Sequence, residues 1–177
     1  MNEAKNEAIE DLEQVDKEAN IQNQTKRKRK AFPTTAYEDS LEIANAIWKY
    51  ASGQKVRRIT LFDSLDKSPD SGPSRALVTA SSKYKITTGS YTAEFIEFTQ
   101  DGAIATDPEG DPIQKLEATF KLVIQNNEFF LKLYEAYKEI RLPATSVMAD
   151  LLAENGLPRE DCEECVEIFI VNCKFIG

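Results

Sequence analysis

The chain has 177 residues, of which 41% are hydrophobic, so it can build one domain of ordinary size or two small ones. Its net charge of −8 argues against a surface coated with cations for nonspecific nucleic-acid binding. It contains no apolar run of about 18 residues and no apolar leader, so we expect neither a membrane span nor a secretory signal. Its three cysteines suggest no disulfide framework, which favours a cytoplasmic protein.

The first 33 residues are predicted to be a disordered arm that is acidic at first and then basic. Few of its side chains are large and aliphatic, so it has little to bury. It ends in five consecutive cations: Lys26, Arg27, Lys28, Arg29 and Lys30. One interpretation is an arm that lies along DNA phosphates and gains affinity by releasing counterions. The other is a solvated charge run that balances the acidic segment before it.

A first helix is predicted to begin at a cap formed by Thr34 or Thr35 and to end near Gly53. Its apolar side is expected to contain six residues: Tyr37, Leu41, Ala44, Ile47, Trp48 and Ala51. The single tryptophan is interpreted as a core residue. A short extended segment at residues 55–59 and a second helix at residues 60–65 follow.

The sequence Ser71-Gly72-Pro73 predicts the start of a third helix, because serine caps helices and proline is tolerated in their first turn. We expect this helix over residues 75–84, with Leu77, Ala80 and Tyr84 on its apolar side. From Ile86 onward the apolar period becomes two. This change predicts a hairpin with a turn at residues 88–92 and a return strand at residues 94–99.

The run SGPSRALVTASSKYKI, followed by a strand and FIEFTQDG, resembles a winged-helix pattern of bacterial and archaeal proteins. In that pattern a serine-glycine pair opens the third helix, an aromatic residue closes it, and a second strand ends in Thr-x-x-Gly, here residues 99–102. Residues 126–177 resemble a companion helical unit, which stops here where the related pattern usually continues into a strand.

The resemblance implies a mainly α fold with a small β-hairpin. Residues 34–110 would be a winged helix-turn-helix domain, and residues 111–177 a second, helical, winged-helix-like unit. A winged helix places its third helix in the major groove. On the third helix this implies DNA contacts from five side chains: Ser74, Arg75, Thr79, Ser82 and Lys83.

Further DNA contacts would come from outside the third helix. Tyr91, at the wing tip, would reach the minor groove or a sugar edge, and Arg57 and Arg58 would hold phosphates. Arg75 is the best single candidate for a base or phosphate contact. Isolated cations are often only solvated, however, and three carboxylates are close in sequence, so the same surface could receive a protein: Asp63, Asp66 and Asp70.

The sequence DPEGDP at residues 107–112 is interpreted as a linker, because it lacks the glycine and glutamate of a calcium loop. Helical periodicity follows over residues 113–140, with Leu116 and several aromatic residues as expected core positions. A stop and restart is predicted at Asn126-Asn127. After Leu142-Pro143, Thr145 or Ser146 is expected to cap a short helix.

A last helix is predicted from Arg159 to about Lys174. Cys162 and Cys165 lie on its apolar face, where core thiols are favoured over a metal pair because the chain has no histidine. Residues 107–177 hold 14 acidic and 7 basic side chains, so most of the net charge belongs here. The acidic face of the helix is interpreted either as a contact for a protein partner or a homodimer, or as a solvated face that only supports solubility: Glu160, Glu163, Glu164 and Glu167.

The sequence does not indicate an enzyme. It lacks histidine, a phosphate-binding glycine loop and a nucleophile elbow, and it indicates no cofactor, metal or small-molecule substrate. The favoured hypothesis is a regulatory winged-helix protein that engages duplex DNA with the third helix, the wing and the basic arm. The alternative is a protein-interaction adaptor of the same fold without a nucleic-acid role.

Overall fold

The computed structural model describes residues 30–177, so the predicted arm up to residue 29, including Lys26, Arg27, Lys28 and Arg29, lies outside the described residues. Residues 31–177 form one compact unit. This unit is mainly helical with one small antiparallel sheet, which confirms the prediction of a mainly α chain with a small hairpin. Within the described part of the chain, no helix is long and apolar enough to cross a membrane.

Eight α-helices lie within residues 30–177: α1 Tyr37–Ala51, α2 Arg58–Ser64, α3 Gly72–Lys83, α4 Gln100–Thr106, α5 Pro112–Phe120, α6 Glu128–Tyr137, α7 Thr145–Glu154 and α8 Arg159–Ile176. A π-helical segment, Lys121–Gln125, continues α5. The strands are β1 Val56–Arg57, β2 Thr87–Thr88 and β3 Phe95–Phe98. The central strand is β3, which pairs Ile96 with Val56 on one side and Phe98 with Thr87 on the other.

Two core clusters hold the unit together. The smaller one lies between α1, α2, α3 and β3 and contains Ile43, Ile47, Leu61, Phe62, Val78 and Ile96, together with Ala46. The larger one extends to the C-terminal helices and takes residues from both sides of the predicted boundary at residue 110, such as Tyr84 and Phe130. Burial of this apolar surface is the main contribution to the stability of the fold.

The Thr-x-x-Gly sequence joins the hairpin to α4. The Thr99 hydroxyl accepts a hydrogen bond from the Gly102 amide at 2.9 Å, as an N-cap does, and donates one to the Lys85 carbonyl at 2.6 Å. A Cβ atom at position 102 would lie 1.9 Å from the Ile86 carbonyl oxygen. Only glycine therefore fits where α4 meets the chain leading into β2.

Two predicted helix caps are wrong. Both helices begin after an alanine and have no side-chain cap. Ala36 precedes α1, so neither Thr34 nor Thr35 caps it, and Ala144 precedes α7, so neither Thr145 nor Ser146 caps that helix. In α1 the first backbone amide instead donates to the buried side chain of Asn172, 2.9 Å away on α8. A tertiary contact therefore replaces the expected local one.

Other local predictions are confirmed. Asn127 caps α6 by accepting hydrogen bonds from the amides of Phe129 and Phe130 at 3.1 and 3.0 Å, which is the predicted restart. Asp111, in the acidic linker, caps α5 in the same way. Leu116 differs from expectation, because its side chain is 53% exposed rather than part of the core.

Candidate nucleic-acid interface

Helix α3 has the predicted cap, although it begins at Gly72 rather than at residue 75. The Ser71 hydroxyl accepts a hydrogen bond from the Ser74 amide at 3.2 Å, and Pro73 lies in the first turn. The helix buries Val78 as well as the predicted Ala80 and leaves Leu77 partly buried. Tyr84 closes it and is 1% exposed.

The prediction that Ser74 contacts DNA is wrong, because this side chain is fully buried. Its hydroxyl donates to the Ser68 carbonyl at 2.6 Å and fixes the turn before α3. Ser81 is also buried and shares a hydrogen bond of 2.8 Å with the Thr87 hydroxyl on β2. Two serines thus lie on the packed side of α3, where each satisfies its polar group.

The prediction that Arg58 holds a phosphate is also wrong. Its side chain is 11% exposed, and its guanidinium donates to the carbonyls of Ala93 and Pro69 and to the Asp70 carboxylate. Arg58 therefore ties the start of α2 to the hairpin loop and to the turn before α3. These three bonds leave little of the guanidinium for an external ligand.

The neighbouring Arg57 remains exposed. Its guanidinium lies over the Phe95 ring at 5.5 Å and pairs with Glu94 at 3.3 Å. Lys55 pairs at 3.9 Å with Glu97 of β3, the strand that also contains Phe95. Exposed ion pairs such as these are weak and can exchange partners, but the two carboxylates neutralise this edge of the sheet.

The structure brings the remaining predicted residues together as one surface, which we call the α3 surface: Arg75, Thr79, Ser82, Lys83 and Tyr91. The Arg75 guanidinium lies 5.6 Å from the centre of the Tyr91 ring, in the range of a cation–π contact. The Ser82 hydroxyl donates to the Gly89 carbonyl at 2.7 Å. These two contacts hold the hairpin loop against α3.

The segment before α1 forms the opposite side of this surface. The prediction that the disordered arm extends to residue 33 is therefore wrong at its end, because Phe32 and Pro33 are buried. Lys83 donates to the carbonyl of Phe32 at 3.0 Å, and Phe32 itself is 1% exposed. The Tyr84 hydroxyl donates to the carbonyl of Thr35 at 2.7 Å. The sequence feature that could have indicated this packing is Phe32, a large aromatic residue two positions after the last cation of the run.

A shallow pocket of about 240 Å³ separates this segment from the hairpin loop. Of the residues that the structure describes, Arg75 and Lys83 are the charged ones that line it, and none of the lining residues is a carboxylate. The exposed hydroxyl of Thr79 lies between them in sequence and donates to the Arg75 carbonyl at 2.7 Å. The pocket is therefore a small, positively charged site with aromatic and hydroxyl groups, which suits a phosphate or a base edge.

The acidic residues predicted to bind a partner lie on α8. Glu160, Glu163 and Glu167 are exposed, whereas Glu164 is partly buried. The thiols on the other side of α8 are packed in the larger core, where burial raises the pKa of Cys165 to about 12. Such a thiol stays protonated near neutral pH, and the described residues contain no group of side chains arranged to hold a metal ion.

Comparisons with protein families, with curated proteins and with solved structures give no significant match for this chain.

Proposed function

We propose that this chain is a regulatory winged-helix protein that places the α3 surface on duplex DNA. The observation that carries the proposal is the contact of Arg75 with Tyr91, which orients a guanidinium at the exposed side of α3. Among residues 30–177, no carboxylate lines the pocket beside it. The order helix, strand, two helices, two strands, with β3 in the centre, supports it because the winged-helix resemblance implies the same order.

The two cations of the α3 surface would serve different parts of the duplex. Arg75 and Lys83 are eight residues apart, which is roughly 12 Å along a helix. Arg75, near the start of α3, can make a bidentate contact with guanine or with a phosphate. Lys83, at the other end, carries its charge beside the carbonyl of Phe32 and would contact the backbone.

The basic arm would add affinity without sequence preference. The segment at residues 31–36 lies against α3, and the five cations at residues 26–30 directly precede it in the chain. Five extended residues reach at most about 17 Å, so these cations would meet phosphates next to the site of α3. Their contribution is expected to fall steeply with salt, since each neutralised phosphate releases counterions.

A cytoplasmic location belongs to the same proposal. The three cysteines, Cys162, Cys165 and Cys173, are free thiols. Free thiols suit a reducing compartment.

The second candidate function is a protein-interaction adaptor. It is favoured by the ion pairs of Lys55 and Arg57 with Glu97 and Glu94. It is also favoured by the small number of cations at the pocket of the α3 surface, where the described lining residues include two, Arg75 and Lys83. The exposed carboxylates of α8 would also repel DNA. An adaptor would use the same surfaces for a protein, so a direct DNA titration separates the two functions.

The test is a fluorescence-anisotropy titration of a labelled 30-base-pair duplex at two salt concentrations. The full chain is compared with Thr79→Glu, Arg75→Ala and a full-length variant in which Lys26, Arg27, Lys28 and Arg29 are glutamine. We expect Thr79→Glu to abolish binding, because it places a carboxylate between the two cations. Arg75→Ala should weaken binding about tenfold to a hundredfold, and the arm variant should lower the salt slope by about three to four.

Matched controls place the same changes elsewhere. Ala136→Glu adds a carboxylate at an exposed site of α6, and Lys138→Ala removes an exposed cation. Both should bind DNA as the unchanged chain does. Absence of binding by the full chain at low salt, or an equal loss in Lys138→Ala and Arg75→Ala, would contradict the proposal and favour the adaptor.

A further inference from the structure

An open groove of about 600 Å³ lies between α1, α5 and the end of α8. Its walls are mainly apolar and include Leu41, Leu116 and Phe175. Leu116 and Phe175 are 53% and 41% exposed, although leucine at this helical spacing was expected in the core. The volume lies in the range of small-molecule sites, which combine an apolar lining with a few polar groups.

An unpartnered hydroxyl belongs to this groove. Tyr37 is one of the lining residues and is 1% exposed, and its hydroxyl has no hydrogen-bond partner of ordinary geometry within the described residues. The pKa of Tyr37 is raised to about 12, because the effect of burial is larger than the opposing effect of the nearby Thr119 side chain. A buried hydroxyl without a partner destabilises a fold, so a ligand that supplied an acceptor would be favoured here.

The described lining of the groove has the opposite charge to the C-terminal part of the chain. Residues 107–177 carry a net charge of −7, yet within the described part of the chain no carboxylate lines the groove and Lys115 is its single charged lining residue. Among the described residues, Lys115 forms no ion pair. It lies one turn before Thr119 on α5, so the ammonium and the hydroxyl share one side of that helix.

We propose that this groove binds a small carboxylate with an apolar body. The apolar body would lie against Leu41, Leu116 and Phe175, and the carboxylate would accept hydrogen bonds from Lys115, Thr119 and Tyr37. A hydrogen bond between an ammonium and a carboxylate is stronger than one between neutral groups, and the apolar walls reduce competition from water. This binding site is separate from the α3 surface and does not depend on the proposed DNA function.

The single tryptophan supplies a direct readout. Its indole N–H donates to the Thr106 hydroxyl at 2.9 Å, and Thr106 lines the groove. Trp48 also contacts the Phe98 ring, with the ring centres 5.4 Å apart. A ligand that displaces Thr106 would therefore change the emission of Trp48.

The test is a titration of the full chain with octanoate, followed by calorimetry and by Trp48 emission, with 1-octanol as the uncharged control. We expect saturable binding of one octanoate. Lys115→Gln should weaken octanoate at least tenfold and leave octanol unchanged, because it removes only the charge. Tyr37→Phe should weaken octanoate more than octanol, because it removes only the hydroxyl.

A pair of variants on α5 tests the location. Leu116→Glu places a carboxylate in the groove wall and should abolish binding of octanoate. Ile113→Glu makes the same change on α5 at a site that is 69% exposed and does not line the groove, and it should leave binding unchanged. The proposal is overturned if octanoate does not bind saturably, if Lys115→Gln affects octanoate and octanol equally, or if Ile113→Glu and Leu116→Glu have the same effect.

Discussion

Helices α3 and α8 each bury one face, but they are held by different interactions. The packed face of α3 includes Ser74 and Ser81, each tied by a hydrogen bond to a neighbouring segment. The packed face of α8 is largely apolar and includes Val166 and Phe169. Hydrogen bonds are directional and fix the position of a helix, whereas apolar burial mainly supplies stability.

Their outward faces differ as well. The outward side of α3 carries Arg75 and Lys83 beside a pocket that no carboxylate of residues 30–177 lines, whereas α8 exposes Glu160, Glu163 and Glu167. A net charge of −8 therefore does not describe the potential at any one surface. An acidic chain can therefore still present a locally cationic site.

One buried residue joins the two helices. Asn172, on α8, accepts from the Tyr37 amide and donates to the Tyr84 hydroxyl at the end of α3, both at 2.9 Å. Its side chain is 1% exposed, so both bonds are shielded from water. The apolar helix thus contains the polar group that positions α1 and the end of α3.

The first prediction, for which we expect the greatest loss of stability, asks whether apolar burial holds α8 in place. Phe169 is 2% exposed, and its ring centre lies 6.0 Å from that of Phe130. Phe169→Ala should lower the free energy of unfolding by about 3–5 kcal/mol through lost burial and a cavity. The measurement is urea denaturation, with Val171→Ala on the exposed side of α8 as the control, expected within about 0.5 kcal/mol. Equal losses would mean that the apolar face does not hold α8.

The second prediction concerns the hydrogen bond between Asn172 of α8 and Tyr84 at the end of α3. Asn172→Ala leaves the buried Tyr37 amide without a partner and should cost about 2–3 kcal/mol, while Tyr84→Phe should cost about 1–2 kcal/mol. A double-mutant cycle should give a coupling energy of about 1 kcal/mol, since each single variant removes the shared hydrogen bond. Coupling near zero would show that α8 does not stabilise α3 through Asn172.

The third prediction concerns the buried hydrogen bond between Ser81, on the packed face of α3, and Thr87. Ser81→Ala leaves the Thr87 hydroxyl, which is 2% exposed, without its partner and should cost about 1–2 kcal/mol. Adding Thr87→Val should recover most of that loss, because both polar groups are then gone. Thr79→Ala, on the exposed side, should stay within about 0.5 kcal/mol. A double variant less stable than Ser81→Ala would show that shape rather than hydrogen bonding matters here.

The elements with strong local signals were predictable. Ser71 caps α3, Asn127 restarts the chain at α6, and residues 95–98 form the return strand of the hairpin, each as its sequence indicated. The apolar side of α8 was also predictable, because its periodicity is helical over the whole length. These features depend on residues within a few positions of one another.

The candidate site was predictable only in part. The sequence grouped Arg75, Thr79 and Tyr91, which the structure also places on one surface, but it assigned Ser74 and Arg58 to that exposed surface as well. Serine and arginine are mostly exposed in proteins, so composition favoured that interpretation. Which of them is buried depends on whether a carbonyl or carboxylate from another segment lies within reach, as Ser68 and Pro69 do.

Local sequence specified the caps of α3 and α6 and the return strand of the hairpin, because caps, prolines and periodicity act over a single turn. Only the tertiary structure decided the start of α1, the exposure of Leu116 and the placement of Phe32 beside α3. The Tyr37 amide and its acceptor Asn172 are 135 residues apart. No local pattern specifies such a pair, because the partner comes within hydrogen-bonding distance only after the helices have packed.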